Sequence, residues 1–162
     1  VLLADDLVQA QTPCLKQMVD VQAKTGGSVV AVMDVPREHT SRYGILDIES
    51  ESGDLVSIRG LVEKPEPAAA PSTLSIIGRY ILQPQVFEYL DRQEKGAGGE
   101  IQLTDAMAAT LGTVPFHGLR FEGRRFDCGD KAGFLDASIA FALARDDLAP
   151  AVRGILKTYS GA

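Results

Sequence analysis

The sequence is poor in the residues that build disulfides and zinc sites. Of its 162 residues, two are cysteine and two are histidine. Cys14 and Cys128 lie far apart without metal-ligand spacing, and His39 and His117 are isolated, so a zinc site is not expected. Two thiols in a chain of this size indicate a reducing compartment rather than a disulfide scaffold, and we expect a cytoplasmic protein.

Basic charge and long apolar segments are also scarce. The formal net charge is −6, whereas a protein that binds a nucleic-acid backbone carries a basic face. No apolar run approaches the roughly 20 residues of a membrane span. The sequence therefore predicts neither a nucleic-acid nor a membrane partner. Its hydrophobic fraction of 45% is that of an ordinary globular chain, and its length fits one domain.

Several catalytic motifs are absent as well. The sequence has no G-x-S-x-G nucleophile elbow, no G-x-x-x-x-G-K-[ST] phosphate loop and no G-x-G-x-x-G dinucleotide fingerprint. Cys128 has no histidine next to it in the sequence. No constellation for nucleophilic catalysis is therefore predicted.

The hydrophobic pattern of the first part predicts a βαβ unit. Val1–Ala4 and Ser28–Met33 are continuous apolar runs, which are typical of strands buried on both faces of a parallel sheet. Between them lies a predicted helix that begins at Thr12-Pro13 and ends at Gly26-Gly27. The two strands are expected to be parallel, with a right-handed connection.

Beyond this unit the pattern predicts strands joined by turns, and hence an α/β fold with a mixed sheet. Three strands are expected within "YGILDI", "LVSIRGLVEK" and "TLSIIGRYIL", and "VPFHGLRFEGRRFD" predicts a pair of strands around Glu122-Gly123. "EKGAGGE" is interpreted as a glycine loop, and "GEIQLTDA" as a helix start with a structural role. The remaining helices are expected at Pro84–Arg92, Ile101–Leu111, Lys131–Arg145 (capped by Asp130) and Pro150–Thr158.

The chain begins "VLLADD", without an initiator Met. The carboxyl ends of strands are where an α/β sheet binds ligands, and a carboxylate there can hold Mg²⁺ against phosphate oxygens. Asp5 directly follows the predicted strand, whereas Asp6 is expected to face the other way. Two acids that begin a solvated loop are the alternative. Because a parallel strand needs neighbours on both edges, we also expect a segment of the protein to precede Val1.

Three further motifs have both a functional and a structural interpretation. "LVEKP" places Glu63 and Lys64 at a strand end, where they either bind sugar hydroxyls and a phosphate from opposite faces or are ordinary surface charges. Gly44 either lets a ligand approach the backbone or is a turn glycine. "RFDCGDK" places Asp127 at a strand end and Lys131 in the first turn of a helix, whose N-terminus either favours an anion or is simply capped.

The order and separation of these motifs are more specific than any one of them. "LLADD", "YGI", "GLVEKP", "IIGRYIL", "GAGGEIQLTDA" and "RFDCGDKAGFLDA" together closely resemble the bacterial UTP–glucose-1-phosphate uridylyltransferases of the sugar-phosphate nucleotidyltransferase family. The resemblance covers nearly the whole chain. It implies a Rossmann-like α/β/α sandwich with a mixed sheet, incomplete on its N-terminal side. Residues 1–162 would be the C-terminal portion of the nucleotidyltransferase domain, namely its sugar-binding half and C-terminal helices.

The resemblance also implies an activity. The full-length protein would use Mg²⁺ to transfer a uridylyl group from UTP to glucose 1-phosphate, giving UDP-glucose and pyrophosphate, and it would be a homo-oligomer, either a dimer or a tetramer. Six positions match the functional residues of the family: Asp5 and Asp127 for the metal, Gly44, Glu63 and Gly78 for the sugar, and Lys64 for the phosphate.

One departure from the family concerns the nucleotide. The glycine-rich G-x-G-T-R-x-x-P loop that grips the triphosphate, and the uracil-recognising residues of the same region, have no counterpart in this sequence. We therefore expect this chain alone to have little or no turnover. Two other interpretations stay open: a thymidylyl- or adenylyltransferase of the same family, and a non-catalytic sugar-phosphate-binding module.

Overall fold

The computed structural model describes residues 1–92, 95–96 and 99–161. Its strands are β1 (Asp6–Gln9), β2 (Ser28–Asp34), β3 (Gly44–Ser52), β4 (Leu55–Glu63), β5 (Leu74–Ile81), β6 (Phe116–Arg120) and β7 (Arg124–Asp127). Its α-helices are α1 (Cys14–Thr25), α2 (Val86–Leu90), α3 (Leu103–Thr110), α4 (Lys131–Leu143) and α5 (Ala149–Tyr159), and a 3₁₀ helix spans Arg37–Arg42. No helix in these ranges has the length and hydropathy that a bilayer crossing requires.

Five strands form a mixed sheet that closes on itself in the order β2-β5-β3-β4-β6. β2 pairs antiparallel with β5 and parallel with β6, so both of its edges are occupied. β1 and β7 form a separate antiparallel pair, in which Asp6 lies opposite Asp127. The predicted α/β class with a mixed sheet is confirmed.

The core consists of two apolar clusters on opposite faces of this sheet. Val30 and Val32 belong to one cluster, which α2 and α3 cover, and Val29 and Ala31 belong to the other, which includes Met18 of α1. Because successive side chains of a strand point to opposite faces, a strand in this position must be apolar at every residue. The continuous apolar run of β2 is thereby explained.

The N-terminal segment differs from the prediction. Val1, Leu2 and Leu3 are 59%, 58% and 42% exposed. They make a short antiparallel contact with β5, in which the Leu3 N–H donates to the Gly78 carbonyl at 2.9 Å and the Tyr80 N–H donates to the Val1 carbonyl at 3.0 Å. The first strand begins at Asp6 and pairs with β7, so the predicted parallel βαβ unit is wrong. The first segment cannot pair with β2, because β5 and β6 already occupy both edges of that strand.

The other predicted elements are present, with one difference in pairing. β6 and β7 flank Glu122-Gly123 as predicted, but they do not pair with each other, because β6 joins β2 and β4 whereas β7 joins β1. The helices after β5 agree with their predicted ends to within two residues, and the Asp130 carboxylate caps α4 by accepting a hydrogen bond from the Gly133 N–H at 3.0 Å. Residues 94, 97 and 98 of the predicted glycine loop lie outside the described residues.

Candidate active site

A polar cavity of about 430 Å³ lies between the β1–β7 pair, the start of β3, the end of β4 and one face of β5. Residues from distant parts of the chain line it, including six that the sequence singled out: Asp5, Gly44, Glu63, Lys64, Gly78 and Asp127. Lys131 is exposed at the start of α4 and does not line the cavity.

Two carboxylates approach each other at one end of the cavity. A Cβ atom built on Gly129 would lie 3.2 Å from Oδ1 of Asp127 and 3.2 Å from Oδ2 of Asp5, so these oxygens are at most 6.4 Å apart, which is twice 3.2 Å. The Cys128 N–H donates to the main-chain carbonyl of Asp5 at 2.7 Å, and the Gly129 N–H donates to Oδ1 of Asp127 at 3.2 Å. The segment after β7 therefore positions both acids.

This pair of acids fits a partly solvated Mg²⁺. Within residues 1–92, 95–96 and 99–161 there is no cluster of three or more Asp, Glu, His or Cys side chains that could hold a metal ion. Mg²⁺ does not need one, because it is commonly bound by one or two carboxylates together with water and substrate phosphates. Two carboxylate oxygens at most 6.4 Å apart on a polar cavity are a donor set of this kind.

Asp6 has a different environment from Asp5. It is 7% exposed, whereas Asp5 is exposed. Its Oδ2 accepts a hydrogen bond from the Gly78 N–H at 3.0 Å, and its Oδ1 pairs with the Arg125 guanidinium. A Cβ at Gly78 would lie 2.6 Å from the same Oδ2, so glycine is needed for this contact. Asp6 is therefore a structural residue and does not belong to a solvated loop.

Two arginines that were not predicted from the sequence lie beside Asp127. The nearest nitrogens of Arg125 and Arg42 are 3.4 and 3.6 Å from its Oδ2. Arg125 also donates to the Tyr43 hydroxyl at 3.2 Å. Burial lowers the pKa of Arg125, but its hydrogen bonds to Asp6 and Tyr43 outweigh burial and raise the pKa above its ordinary value. Arg125 is thus a permanent positive charge between two acids.

Glu63 and Lys64 lie on the same side of the chain, although opposite faces were predicted. Lys64 is the one described non-glycine residue with a positive φ, 45°, and its Nζ lies 3.7 Å from Oε1 of Glu63. The left-handed conformation ends the alternation of the strand and turns the lysine back toward the glutamate. Such strained residues cluster at functional sites, and here the strain places an acid and a base on one cavity wall.

Gly44 keeps the cavity open beside Glu63. A Cβ at this position would lie 3.1 Å from Oγ1 of Thr104, 3.2 Å from Oε2 of Glu63 and 3.3 Å from Cδ1 of Ile76. Thr104 comes from the "GEIQLTDA" segment, whose residues Gln102 and Leu103 also line the cavity. That segment therefore supplies part of the wall in addition to starting α3, which was not predicted from the sequence.

Tyr80 contributes a neutral donor to the cavity wall. Burial, followed by the charges of Asp6, Glu63 and Asp5, raises the pKa of Tyr80 to about 12. The phenol therefore stays protonated at neutral pH and can donate a hydrogen bond in a wall that is rich in carboxylate acceptors.

The chain is similar in sequence to known nucleotidyltransferases. A model of a family described as "Nucleotidyl transferase" matches residues 1–142. A UTP–glucose-1-phosphate uridylyltransferase of Komagataeibacter xylinus is 60% identical over 131 residues, covering 81% of this chain and 46% of the relative. One of Bacillus subtilis (strain 168) is 45% identical over 160 residues, covering 96% and 55%. The chain thus spans about half the length of the curated relatives it matches.

The fold is also similar to those of solved structures of such enzymes. A UDP-glucose pyrophosphorylase complexed with UDP-glucose matches with a TM-score of 0.83 and 39% identity, covering 89% of this chain and 56% of that one. A UTP-bound UGPase from Acinetobacter baumannii matches with a TM-score of 0.84 and 32% identity, covering 98% and 55%. These matches confirm the Rossmann-like fold that the resemblance implied.

Proposed function

Because this chain belongs to the nucleotidyl transferase family, we propose that the full-length protein transfers a uridylyl group from UTP to glucose 1-phosphate, giving UDP-glucose and pyrophosphate. The observation that supports this proposal is the convergence of six motif residues from separate segments on one polar cavity. The curated relatives are named for this same activity, UTP–glucose-1-phosphate uridylyltransferase.

We assign Mg²⁺ to Asp5 and Asp127. When bound, Mg²⁺ neutralises the charge on phosphate oxygens. Asp5 is exposed to the cavity and its carboxylate is available, whereas the Asp127 carboxylate also has two arginines beside it. These residues would bind the ion from one side and leave its other positions to water and phosphate.

The remaining cavity residues position the sugar phosphate. In the proposed reaction an oxygen of glucose 1-phosphate attacks the α-phosphorus of UTP in line, the bond to pyrophosphate breaks, and pyrophosphate leaves. No protein nucleophile is required, because positioning and charge neutralisation supply the catalysis. Lys64 would attract the sugar phosphate, the Glu63 carboxylate would accept hydrogen bonds from sugar hydroxyls, and Gly44 and Gly78 would leave them room. Lys131 is left out of the proposed site, since it does not line the cavity.

The nucleotide specificity is tested by assaying the purified full-length protein with glucose 1-phosphate, Mg²⁺ and one of UTP, dTTP or ATP. We expect pyrophosphate release with UTP to exceed that with the other two by at least about 10²-fold in kcat/KM, a lower bound, since polar contacts to a substrate can discriminate by about 10⁴-fold or more. Preference for dTTP or ATP would instead support the other branches of the family. Binding of glucose 1-phosphate without any turnover would support the non-catalytic module.

Gly44→Ala should weaken sugar-phosphate binding and leave the chemistry nearly intact. The added methyl group would lie 3.1–3.3 Å from Thr104, Glu63 and Ile76, and so narrow the sugar side of the cavity. We expect KM for glucose 1-phosphate to rise about tenfold, with kcat changed by less than about threefold, because one methyl group in a close-packed site costs about 1–3 kcal/mol.

The matched control for this substitution is Gly154→Ala, because a Cβ on Gly154 in α5 would have no atom within 4 Å. It should leave both constants unchanged. An unchanged KM for the Gly44 variant would contradict the placement of the sugar beside this glycine.

We also propose that the full-length protein is a cytoplasmic homo-oligomer. The proposal rests on the family resemblance and on Cys14 and Cys128, both of which are free thiols. Light scattering of the purified protein should give the mass of a dimer or a tetramer.

A further inference from the structure

We propose that Arg42 changes partner during the reaction, and this inference rests on the proposed function. In the structure Arg42 is paired with the Asp127 carboxylate. With the metal bound to that carboxylate, Arg42 would turn away and contact the phosphate oxygens of the substrate. It would then be a catalytic residue in addition to Asp5, Asp127 and Lys64.

The first observation is that two cations share one carboxylate oxygen. Nitrogens of Arg42 and Arg125 lie 3.6 and 3.4 Å from the same Oδ2 of Asp127, whereas Oδ1 accepts the N–H of Gly129. A metal ion on this carboxylate would therefore face two positive charges at short range. The oxygen that faces Asp5 is Oδ1, so departure of one guanidinium from Oδ2 would lower the positive charge beside the metal without changing the proposed ligands.

The second observation is that only one of the two arginines is free to move. Arg125 has an 11% exposed side chain that is fixed by Asp6 and by the Tyr43 hydroxyl. The Arg42 side chain is 54% exposed, and its guanidinium lies 5.8 Å from the centre of the Tyr43 ring. Among the described residues, no hydrogen bond holds the Arg42 guanidinium, because its 3.6 Å contact with Asp127 exceeds hydrogen-bond length.

The third observation is that the backbone of Arg42 is well placed for this movement. Arg42 ends the 3₁₀ helix, and the carbonyl of the next residue, Tyr43, accepts the N–H of Lys64 at 3.0 Å. Arg42 and Lys64 both line the cavity. The backbone is thus fixed beside the proposed phosphate position, while the side chain can rotate into it. A guanidinium suits this task, since its planar fork binds phosphate oxygens in pairs.

The experiment compares Mn²⁺ binding and substrate kinetics in the full-length protein. Mn²⁺ affinity is measured by electron paramagnetic resonance in the absence of nucleotide, and KM and kcat are measured by pyrophosphate release. For Arg42→Ala we expect about three- to tenfold tighter Mn²⁺ binding, because a competing positive charge is removed. We expect KM for glucose 1-phosphate to rise about tenfold or more, because a charge-assisted phosphate contact is lost. For Arg42→Lys, both the Mn²⁺ affinity and KM for glucose 1-phosphate should lie between those of the wild type and Arg42→Ala.

The control is Arg59→Ala, which removes an arginine that is also exposed and also paired with an aspartate, Asp47, but outside the cavity. It should change neither quantity. Opposite shifts in metal and substrate affinity would support the proposal, since a damaged fold would weaken both. Mn²⁺ binding that is the same in the wild type and in Arg42→Ala, or an unchanged KM, would overturn the role of Arg42 and leave the metal assignment standing. Absence of Mn²⁺ binding in the wild type would overturn the metal assignment and the exchange together.

Discussion

Asp5→Asn should lower kcat of the full-length protein by about 10²–10³-fold without unfolding it, which is the cost of losing one charge-stabilising group at a reacting phosphate. The amide cannot offer a negative charge to Mg²⁺. Stability should be kept, because the main-chain carbonyl of Asp5, and not its side chain, accepts the Cys128 N–H. Turnover is measured at saturating substrates over a range of Mg²⁺ concentrations, and thermal unfolding is followed in parallel.

Two comparisons make this result specific. Asp20→Asn, on the exposed face of α1 where Asp20 pairs with Lys16, should leave turnover unchanged. Asp6→Asn keeps an acceptor for the Gly78 N–H and should lower turnover much less than Asp5→Asn. If the Asp5 and Asp6 variants lose the same amount of turnover, the assignment of Asp5 to the metal is wrong.

Arg125→Ala should lower the free energy of unfolding by about 3–5 kcal/mol, because it leaves the Asp6 carboxylate as a buried, uncompensated charge. Asp6→Ala should lower it by less, because Asp127 remains 3.4 Å from Arg125. Both side chains are nearly inaccessible, with 9% and 11% exposure. Asp6→Ala and Arg125→Ala are each measured by urea denaturation of the full-length protein. The double variant should lose clearly less than the sum of the two single losses, because neither charge remains unpaired.

The control for this cycle is the Asp47–Arg59 pair, which also joins an aspartate to an arginine but lies at the surface. Its guanidinium holds the pKa of Asp47 below its ordinary value, yet solvent screens the pair, and Asp47→Ala should have a much smaller effect on unfolding. Additive losses in the Asp6–Arg125 cycle would contradict the coupling that the geometry indicates.

The ends of helices were predictable from the sequence, whereas the pairing of strands with one another was not. Asp130 caps α4 as predicted, and α1 ends at Gly26, because both signals act within a few residues of the helix end. In contrast, Val1–Ala4 and Ser28–Met33 have the same apolar pattern, but only the second segment is covered on both faces and paired on both edges. An apolar run shows that a segment suits burial, and it does not show whether neighbours are available.

The site was predictable only where its residues belong to recognisable local motifs, and not where it depends on contacts between distant segments. The order of the motifs identified six residues that line the cavity, but it gave no sign that Arg125 bonds to Asp6, 119 positions away in the chain. The alternation rule for strands was wrong at Lys64, because that residue has left the extended conformation. Arg42 and Thr104 carry no local signal at all, since their relevance arises only when the 3₁₀ helix and α3 meet the sheet.

The bond between Asp6 and Gly78 connects the two sheets of this molecule: Asp6 begins β1, Gly78 lies within β5, and Arg125 of β7 completes the connection. Apolar packing alone tolerates small sliding motions, whereas a hydrogen-bonded charge pair is directional and is satisfied in one orientation. The β1–β7 pair carries Asp127, and the closed sheet carries Glu63 next to Lys64. The buried pair therefore sets the distance between the part of the cavity proposed to hold the metal and the part proposed to hold the sugar.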